Sequence, residues 1–329
     1  MPVELAVKDI LATIQPTLLL VEEKLREGVD EMFLPLGQGL RNLLDSGGKR
    51  LRPALVIFAS RIHPGAPLER VISLAASVET LHTATLVHDD LIDGATVRRG
   101  RRTLNATWPA SATVLAGDYL FARAAKFAAE TENTRVVTIF AETLMTICEG
   151  ELYQLFGAYH LDQDLESYYR RIFSKTASLF AASTEAGATL SGADAATIQA
   201  LREYGKNLGM SFQIQDDLLD IVGDERRLGK PTGSDLRQGI VTLPVYYFLR
   251  HYPDERERLE RALQAEPAER ERAIAEIVED IRSSPAVEDC RREAGQFAER
   301  ARQALAPLPD VEEKRYLLAL VTALLDRDV

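Results

Sequence analysis

The side chains best placed to do chemistry lie between residues 82 and 100, where a mostly apolar stretch runs into His88-Asp89-Asp90-Leu91-Ile92-Asp93 and is followed by Arg98-Arg99-Gly100. On a helix, positions four apart share a face, so Asp89 and Asp93 point the same way and Asp90 lies about 100° round the axis. Three carboxylates this close repel one another until a cation joins them. All-oxygen ligation suits a hard cation, and Mg2+ takes one or two protein carboxylates and fills its octahedron with water and phosphate oxygens. The guanidinium groups of Arg98 and Arg99 suit the remaining oxygens of such a phosphate.

The pattern occurs twice. Gln213-Ile214-Gln215-Asp216-Asp217-Leu218-Leu219-Asp220 ends a second, nearly all-apolar helical stretch. Two clusters on different helices can face each other across a bundle cavity, the way helix bundles commonly build metal sites. The bland alternative is two acidic helix ends in solvent, and the apolar runs leading into both copies argue against it. Ser46-Gly47-Gly48 followed by Lys49, Arg50 and Arg52 offers a turn in which backbone N–H groups approach a phosphate beside concentrated positive charge. By itself that motif reads more readily as a helix stop followed by a solvated basic turn. Lys175-Thr176 lies in an apolar helix, where a lysine needs an anionic partner. Glu149-Gly150-Glu151 and Gln154 fit either a helix surface or a site lining. Lys230 sits in a turn-rich loop after the second cluster.

These groups have to be positioned by helices. Apolar residues recur at helical spacing over 7–25, 33–44, 54–62, 68–93, 111–130, 134–159, 168–190, 201–222 and 311–325, while strand-like alternation is scarce. The fold class expected is therefore all-α. Residues 253–305 are dominated by Glu and Arg and read as solvated helices without chemistry. The chain is read as one domain, 1–329, with a motif-bearing core at about 47–249 and a charged helical region at 253–329.

Hydrophobic residues make up 46% of the chain, ordinary globular usage, and the net charge is −11. That balance argues against a nucleic-acid surface and repels anionic ligands at long range, so any phosphate site must be built locally. Cys148 and Cys290 show neither disulfide-framework nor zinc-ligand spacing. No cationic stretch precedes an apolar N-terminal core, and no later run of eighteen apolar residues occurs. A soluble, cytoplasmic protein is expected.

With these residues in view, the chain resembles the trans-isoprenyl diphosphate synthases, or polyprenyl synthetases, and is most similar to their medium- and long-chain bacterial members. The resemblance runs from about residue 47 to 249. Its markers are Gly-Gly-Lys-Arg-Leu-Arg-Pro, the 82–100 block, Leu-Ala-Gly-Asp-Tyr-Leu at 115–120, Lys175-Thr176, the 213–220 block and Gly229-Lys-Pro.

The resemblance implies antiparallel helices around a deep central cavity and a homodimer. It implies that an allylic diphosphate ionises with the help of Mg2+, three ions in all, and that isopentenyl diphosphate attacks the resulting carbocation. Carried over by motif, Asp89, Asp90, Asp93, Asp216, Asp217 and Asp220 form the catalytic carboxylate set, with Asp89, Asp93 and Asp216 as the firmest metal ligands. Lys49, Arg52, His82 and Arg99 hold isopentenyl diphosphate. Arg98, Lys175, Thr176, Gln213 and Lys230 face the allylic diphosphate. Many relatives carry a lysine where this chain has Ile240, a departure taken as a mark of subtype.

Within such a family the growing chain runs along the helix before the first acid cluster, and bulky residues four or five positions before Asp89 stop it. Here those residues are Thr85 and Ala84, with Leu81, Val78 and Ser77 next below. One helical turn rises 5.4 Å, roughly one extended isoprene unit. The expected product is therefore longer than geranylgeranyl diphosphate, with closure by Phe121 or Tyr119 from another helix as the competing outcome. Farnesyl or geranylgeranyl diphosphate is the expected primer, and transient membrane contact accompanies product release. The rival readings are a short-chain geranylgeranyl or farnesyl diphosphate synthase, a terpene cyclase, and a non-catalytic partner subunit of a heteromeric synthase.

Overall fold

Apolar positions on nearly every side of residues 68–92 require a helix enclosed by others, and in the computed structural model, which describes residues 6–223 and 232–325, that helix spans Leu68–Ile92. It starts after Pro67 and buries Val71, Leu74, Ala76, Val78, Leu81, Ala84 and Val87. It stops at Asp93, whose N–H donates to the Asp89 carbonyl at 2.8 Å, and Gly94 then takes a left-handed φ of 64°. The described chain is all-α apart from one small antiparallel ladder, in which Val97 pairs with Arg102 and Arg98 with Arg101. The ladder was not expected. Its two-residue turn, Arg99-Gly100, has positive φ at both positions (51° and 74°), which suits a tight hairpin but normally favours Asn or Gly.

The chain divides into two compact units. The first comprises Met1–Leu144, Leu179–Gly205 and Leu305–Leu320. In it the Leu68–Ile92 helix packs chiefly on Ala110–Ala129, and also on Leu51–Ile62 and Gln15–Arg26. Gly117 lets the Ala110–Ala129 helix approach His88, since a Cβ there would meet the imidazole at 2.1 Å. Phe58 packs on Tyr316 with ring centroids 5.5 Å apart.

The second unit comprises Met145–Ser178, Lys206–Ala304 and Val321–Val329. Its core joins Tyr168, Ile172, Ile214, Leu218 and Ile221 to Leu243, Leu259, Ile274, Ile277, Ile281, Cys290 and Phe297. The Glu- and Arg-rich region is therefore amphipathic: helices Glu255–Gln264, Pro267–Arg282 and Ala286–Ala304 each bury one apolar stripe. Charge density masked that stripe in the sequence, because Leu and Ile at three- and four-residue spacing are diluted by the solvated face. No described helix is long and apolar enough to cross a membrane.

Candidate active site

The first unit brings together Gly47, Arg50, Arg52, His82, Arg98 and Arg99. Arg50 has a left-handed φ of 49° immediately before the Leu51–Ile62 helix, a costly conformation for a non-glycine residue. Two carboxylates hold it there. Its Nε donates to Glu22, and Nη1 donates to Oε1 of the buried Glu79 at 2.6 Å. This ion pair fixes the basic loop against the Leu68–Ile92 helix, and Arg99 closes the other side by donating from Nη1 to the Gly47 carbonyl. At Gly48 an added Cβ would lie 3.0 Å from the Arg99 guanidinium, so the arginine side chain would have to give by a few tenths of an ångström.

Arg52 faces a different situation. Its guanidinium lies over the Phe180 ring, 5.0 Å from the centroid, and among the described residues its buried Nε has no hydrogen-bond partner. Burial, with Arg99 adding to it and Glu79 opposing, pushes its pKa down to about 10. It remains a cation at neutral pH. Burial, reinforced by Arg52, Arg99, Arg98 and Arg50, holds the His82 imidazole well below its ordinary value. Neutral imidazole is thus the form at pH 7, and its surroundings are those of a site built for anions.

Well above pH 6.5 His82 is neutral in both folded and unfolded chains and makes no pH-dependent contribution. As pH falls through 6.5 the unfolded chain takes up the proton first, so the folded state loses stability. Between pH 7.5 and 5.5 the Tm of the wild-type protein is expected to fall further than that of His82→Asn, measured by thermal denaturation at each pH. Equal losses in the two proteins would remove this assignment.

The carboxylates of each cluster divide by environment. Asp90 is 4% exposed and accepts from Arg98 Nε at 2.7 Å. Its pKa is raised by burial against the opposing pull of Arg98. Asp217 is 3% exposed and accepts from Tyr168 Oη at 2.8 Å and from Gln213 Nε2 at 2.7 Å. Burial raises its pKa first, Asp235 adds to that, and Gln213, Arg171 and Tyr168 oppose it. Asp220 is also buried, and its Oδ2 accepts the Asp235 N–H at 3.1 Å, tying the helix end to the following turn. In contrast Asp93 and Asp216 are exposed and Asp89 is partly so.

Among the described residues no three His, Cys, Asp or Glu side chains form a ready-made metal cluster. The donors that do reach solvent, Asp89 and Asp93 on one helix and Asp216 on another, are all carboxylate oxygens. Carboxylate oxygen is the donor type that a hard divalent ion takes, together with water and phosphate.

Of the residues expected to face the allylic diphosphate, Arg98 is engaged through Nε by Asp90. Lys175 lies in a π-helical turn, Phe173–Ala177, and its Nζ is 2.8 Å from Glu151, the anionic partner an apolar helix demanded. Gly150 makes that approach possible: a Cβ there would sit 2.4 Å from the Ser174 Cβ. Thr176 Oγ1 donates to Gln213 Oε1 at 2.6 Å. Lys49 is exposed beside the Gly47 turn, and Lys230 lies outside the described residues.

The five expected chain-length residues divide between two faces of the Leu68–Ile92 helix. Ser77 donates to the Ala124 carbonyl at 2.8 Å, and His88 contacts the Val114 carbonyl at 3.1 Å. Ser77, Leu81, Ala84 and His88 follow one another at spacings of four, three and four, so Leu81 and the fully buried Ala84 lie on this face, against Ala110–Ala129. Val78, His82, Thr85 and Asp89 follow the same spacing on the neighbouring face. Phe121, weighed as a stopper, packs edge to face on His88 with centroids 5.3 Å apart.

Two positioning residues were not picked out from sequence, Glu79 and Tyr168, and Glu151 was read there as either helix surface or site lining, without its pairing to Lys175. Glu79 had a usable signal, an acid in an otherwise apolar helix one turn before His82. Tyr168, two turns before Lys175, looked like core and is core, but its hydroxyl has a polar task.

Residues 35–281 match the family model described as polyprenyl synthetase. The chain is 40% identical over 322 residues to heptaprenyl diphosphate synthase component 2 of Geobacillus stearothermophilus, covering 98% of this chain and 99% of the relative. Its structure resembles the crystal structure of heptaprenyl diphosphate synthase from Staphylococcus aureus, with TM-score 0.90, 33% identity and coverage of 99% and 100%. It also resembles a polyprenyl synthase from Caulobacter crescentus CB15, complexed with calcium and isoprenyl diphosphate, at TM-score 0.86, 34% identity and 99% coverage of both chains. Paired aspartate clusters, a basic Gly-Gly turn and an all-α frame are thus found in a chain that matches these relatives along their whole length, and the chain belongs to the polyprenyl synthetase family.

Proposed function

We propose that this prenyltransferase condenses isopentenyl diphosphate head to tail with an allylic diphosphate, farnesyl or geranylgeranyl, and releases a trans-polyprenyl diphosphate longer than geranylgeranyl. The observation that carries the reading is Arg52, a cation whose buried Nε has no partner among the described residues, set among Arg50, Arg98, Arg99 and neutral His82 in a protein of net charge −11. Such a group is costly unless an anion joins it. Lys49, Arg52, His82 and Arg99 bind the diphosphate of the isopentenyl substrate. Lys175, Thr176, Gln213 and the N–H groups of Arg98 not used by Asp90 serve the allylic one.

Asp89, Asp93 and Asp216 are the ligands for divalent metal, Mg2+ with three ions per site. When bound, the metal neutralises charge that develops on the departing diphosphate. Arginine and lysine side chains add fixed positive charge aimed at the same group. The allylic C1–O bond breaks with its electron pair left on oxygen, the isopentenyl double bond supplies electrons for the new C–C bond, and loss of a proton restores a double bond. His82, with its pKa depressed, is a weak base, and the released diphosphate takes the proton.

Product analysis by mass spectrometry, with purified protein, farnesyl and isopentenyl diphosphates and Mg2+, tests the whole scheme. A series of diphosphates beyond twenty carbons supports it. A cyclic hydrocarbon from the allylic substrate alone overturns it. The name of the Geobacillus relative, a component, favours one alternative, in which product forms only after a second polypeptide is added. Arg52→Gln is expected to raise KM for isopentenyl diphosphate roughly 10–100-fold, the value of a charge-assisted hydrogen bond, with the allylic KM little changed. A homodimer is part of the proposal, supported by Val114, Leu115 and Tyr119 exposed along Ala110–Ala129, and light scattering reads it directly. The setting proposed is the cytoplasm, with transient membrane contact as product leaves; Cys148 and Cys290 are unbridged.

A further inference from the structure

A line of alternating charges ties both ends of the Gly47-Gly48 turn to the helix Gln15–Arg26. Asp45 Oδ1, just before the turn, accepts from Arg26 Nη2 at 3.2 Å, and Arg26 Nη1 donates to Glu22 Oε2 at 2.9 Å. Glu22 Oε1 accepts from Nε of Arg50, just after the turn, and Arg50 Nη1 ends the line on the buried Glu79 at 2.6 Å. Arg50 Nη2 reaches the Leu44 carbonyl at 3.4 Å, so every nitrogen of this guanidinium has an acceptor within the protein. Arg52, two residues on, has a buried Nε with no partner among the described residues. The two arginines are therefore used differently: Arg52 is left for a ligand, and Arg50 shapes the backbone that presents it.

We propose that Glu22 and Arg26 are positioning residues of the isopentenyl diphosphate site: through Arg50 and Asp45 they hold both ends of the Gly47-Gly48 turn and so fix Lys49 and Arg52 for the diphosphate. The inference rests on the proposed reaction. It extends the site to a helix that lies before residue 35, where the family match begins.

The left-handed backbone of Arg50 (φ 49°) persists only where its surroundings oppose the strain. Two charge-assisted hydrogen bonds to a guanidinium only 13% exposed supply that opposition. The outer pair contributes less, because Arg26 and Asp45 are both well exposed and screened by solvent. Charge alone predicts the opposite of positioning. Glu22 is an anion beside a basic turn in a chain of net charge −11, so losing it would by Coulomb attraction tighten diphosphate binding. The sign of the effect separates the two.

Glu22→Gln is expected to raise KM for isopentenyl diphosphate about three- to tenfold, with kcat and the allylic KM within about twofold of wild type. Arg50→Gly takes up a left-handed φ without strain and gives Glu22 nothing to hold. Adding Glu22→Gln to Arg50→Gly should therefore change KM no further. An unchanged or lowered KM in Glu22→Gln, an equal rise for both substrates, or a further rise in the double variant would overturn the proposal. If Glu22→Gln does not fold, Arg26→Gln, at an exposed side chain, must show the same selective rise at smaller size. Calorimetric titration of wild type and Glu22→Gln with isopentenyl diphosphate reads the same difference without turnover. A wild type that binds but forms no product thus defeats the synthase reading alone, whereas equal binding by the two proteins defeats this one.

Discussion

Asp89→Ala and Asp216→Ala are each expected to lower kcat by roughly 10²–10³-fold or more while leaving the fold intact, since preorganised stabilisation of a leaving group contributes as much to catalysis as any other single effect. Both carboxylates reach solvent, and Asp89 stands near a helix C-terminus, where negative charge is unfavourable. Their removal should therefore cost less Tm than removal of a buried aspartate. The middle aspartates should behave differently. Asp217→Ala strands the buried Tyr168 hydroxyl and the Gln213 amide, and a buried polar group left unmatched costs about 1–3 kcal/mol. Asp90→Ala strands Arg98 in the same way but less severely, because Arg98 is partly exposed. Steady-state kinetics over a Mg2+ titration, with thermal melts of all four variants, separates the classes. Equal Tm losses in all four, or full activity in Asp89→Ala, would sink the division into metal-binding and fold-committed carboxylates.

Thr85→Phe should shorten the product by at least one isoprene unit, read by mass spectrometry of the diphosphates or their dephosphorylated alcohols. Thr85 is partly exposed and lies one turn from Asp89 on the same face, so a ring there stands in the way of a chain leaving the metal site along that face. Ala84→Phe is expected to shorten product too, but at a cost in stability. Ala84 is fully buried on the face against Ala110–Ala129, and overpacking of such a position costs typically about 1–3 kcal/mol. A product distribution unaltered by Thr85→Phe would place the hydrocarbon path on another face.

The fold class and the family of this protein were legible in its sequence. Helices follow from apolar spacing, a local property that survives without knowledge of neighbours, and the paired aspartates with Arg98, Arg99 and the Gly-Gly turn name a metal-and-diphosphate chemistry by residue type alone. The short hairpin at Val97–Arg102 was illegible because two residues per strand carry no periodicity, and its turn uses Arg99 where Asn or Gly is the usual signal.

What the sequence by itself determined, then, is which functional groups the chain carries and on which helices they ride. Only the tertiary structure decided how those groups are spent: Asp90 on Arg98, Asp217 on Tyr168 and Gln213, Arg50 on Glu22 and Glu79, Lys175 on Glu151. Within a cluster the aspartates are chemically identical, and helical spacing can say which of them share a face. It cannot say which face meets a donor from a segment far away in the chain. Burial and the partner that compensates it are long-range properties, and they separate a carboxylate committed to a buried partner from one left at the surface.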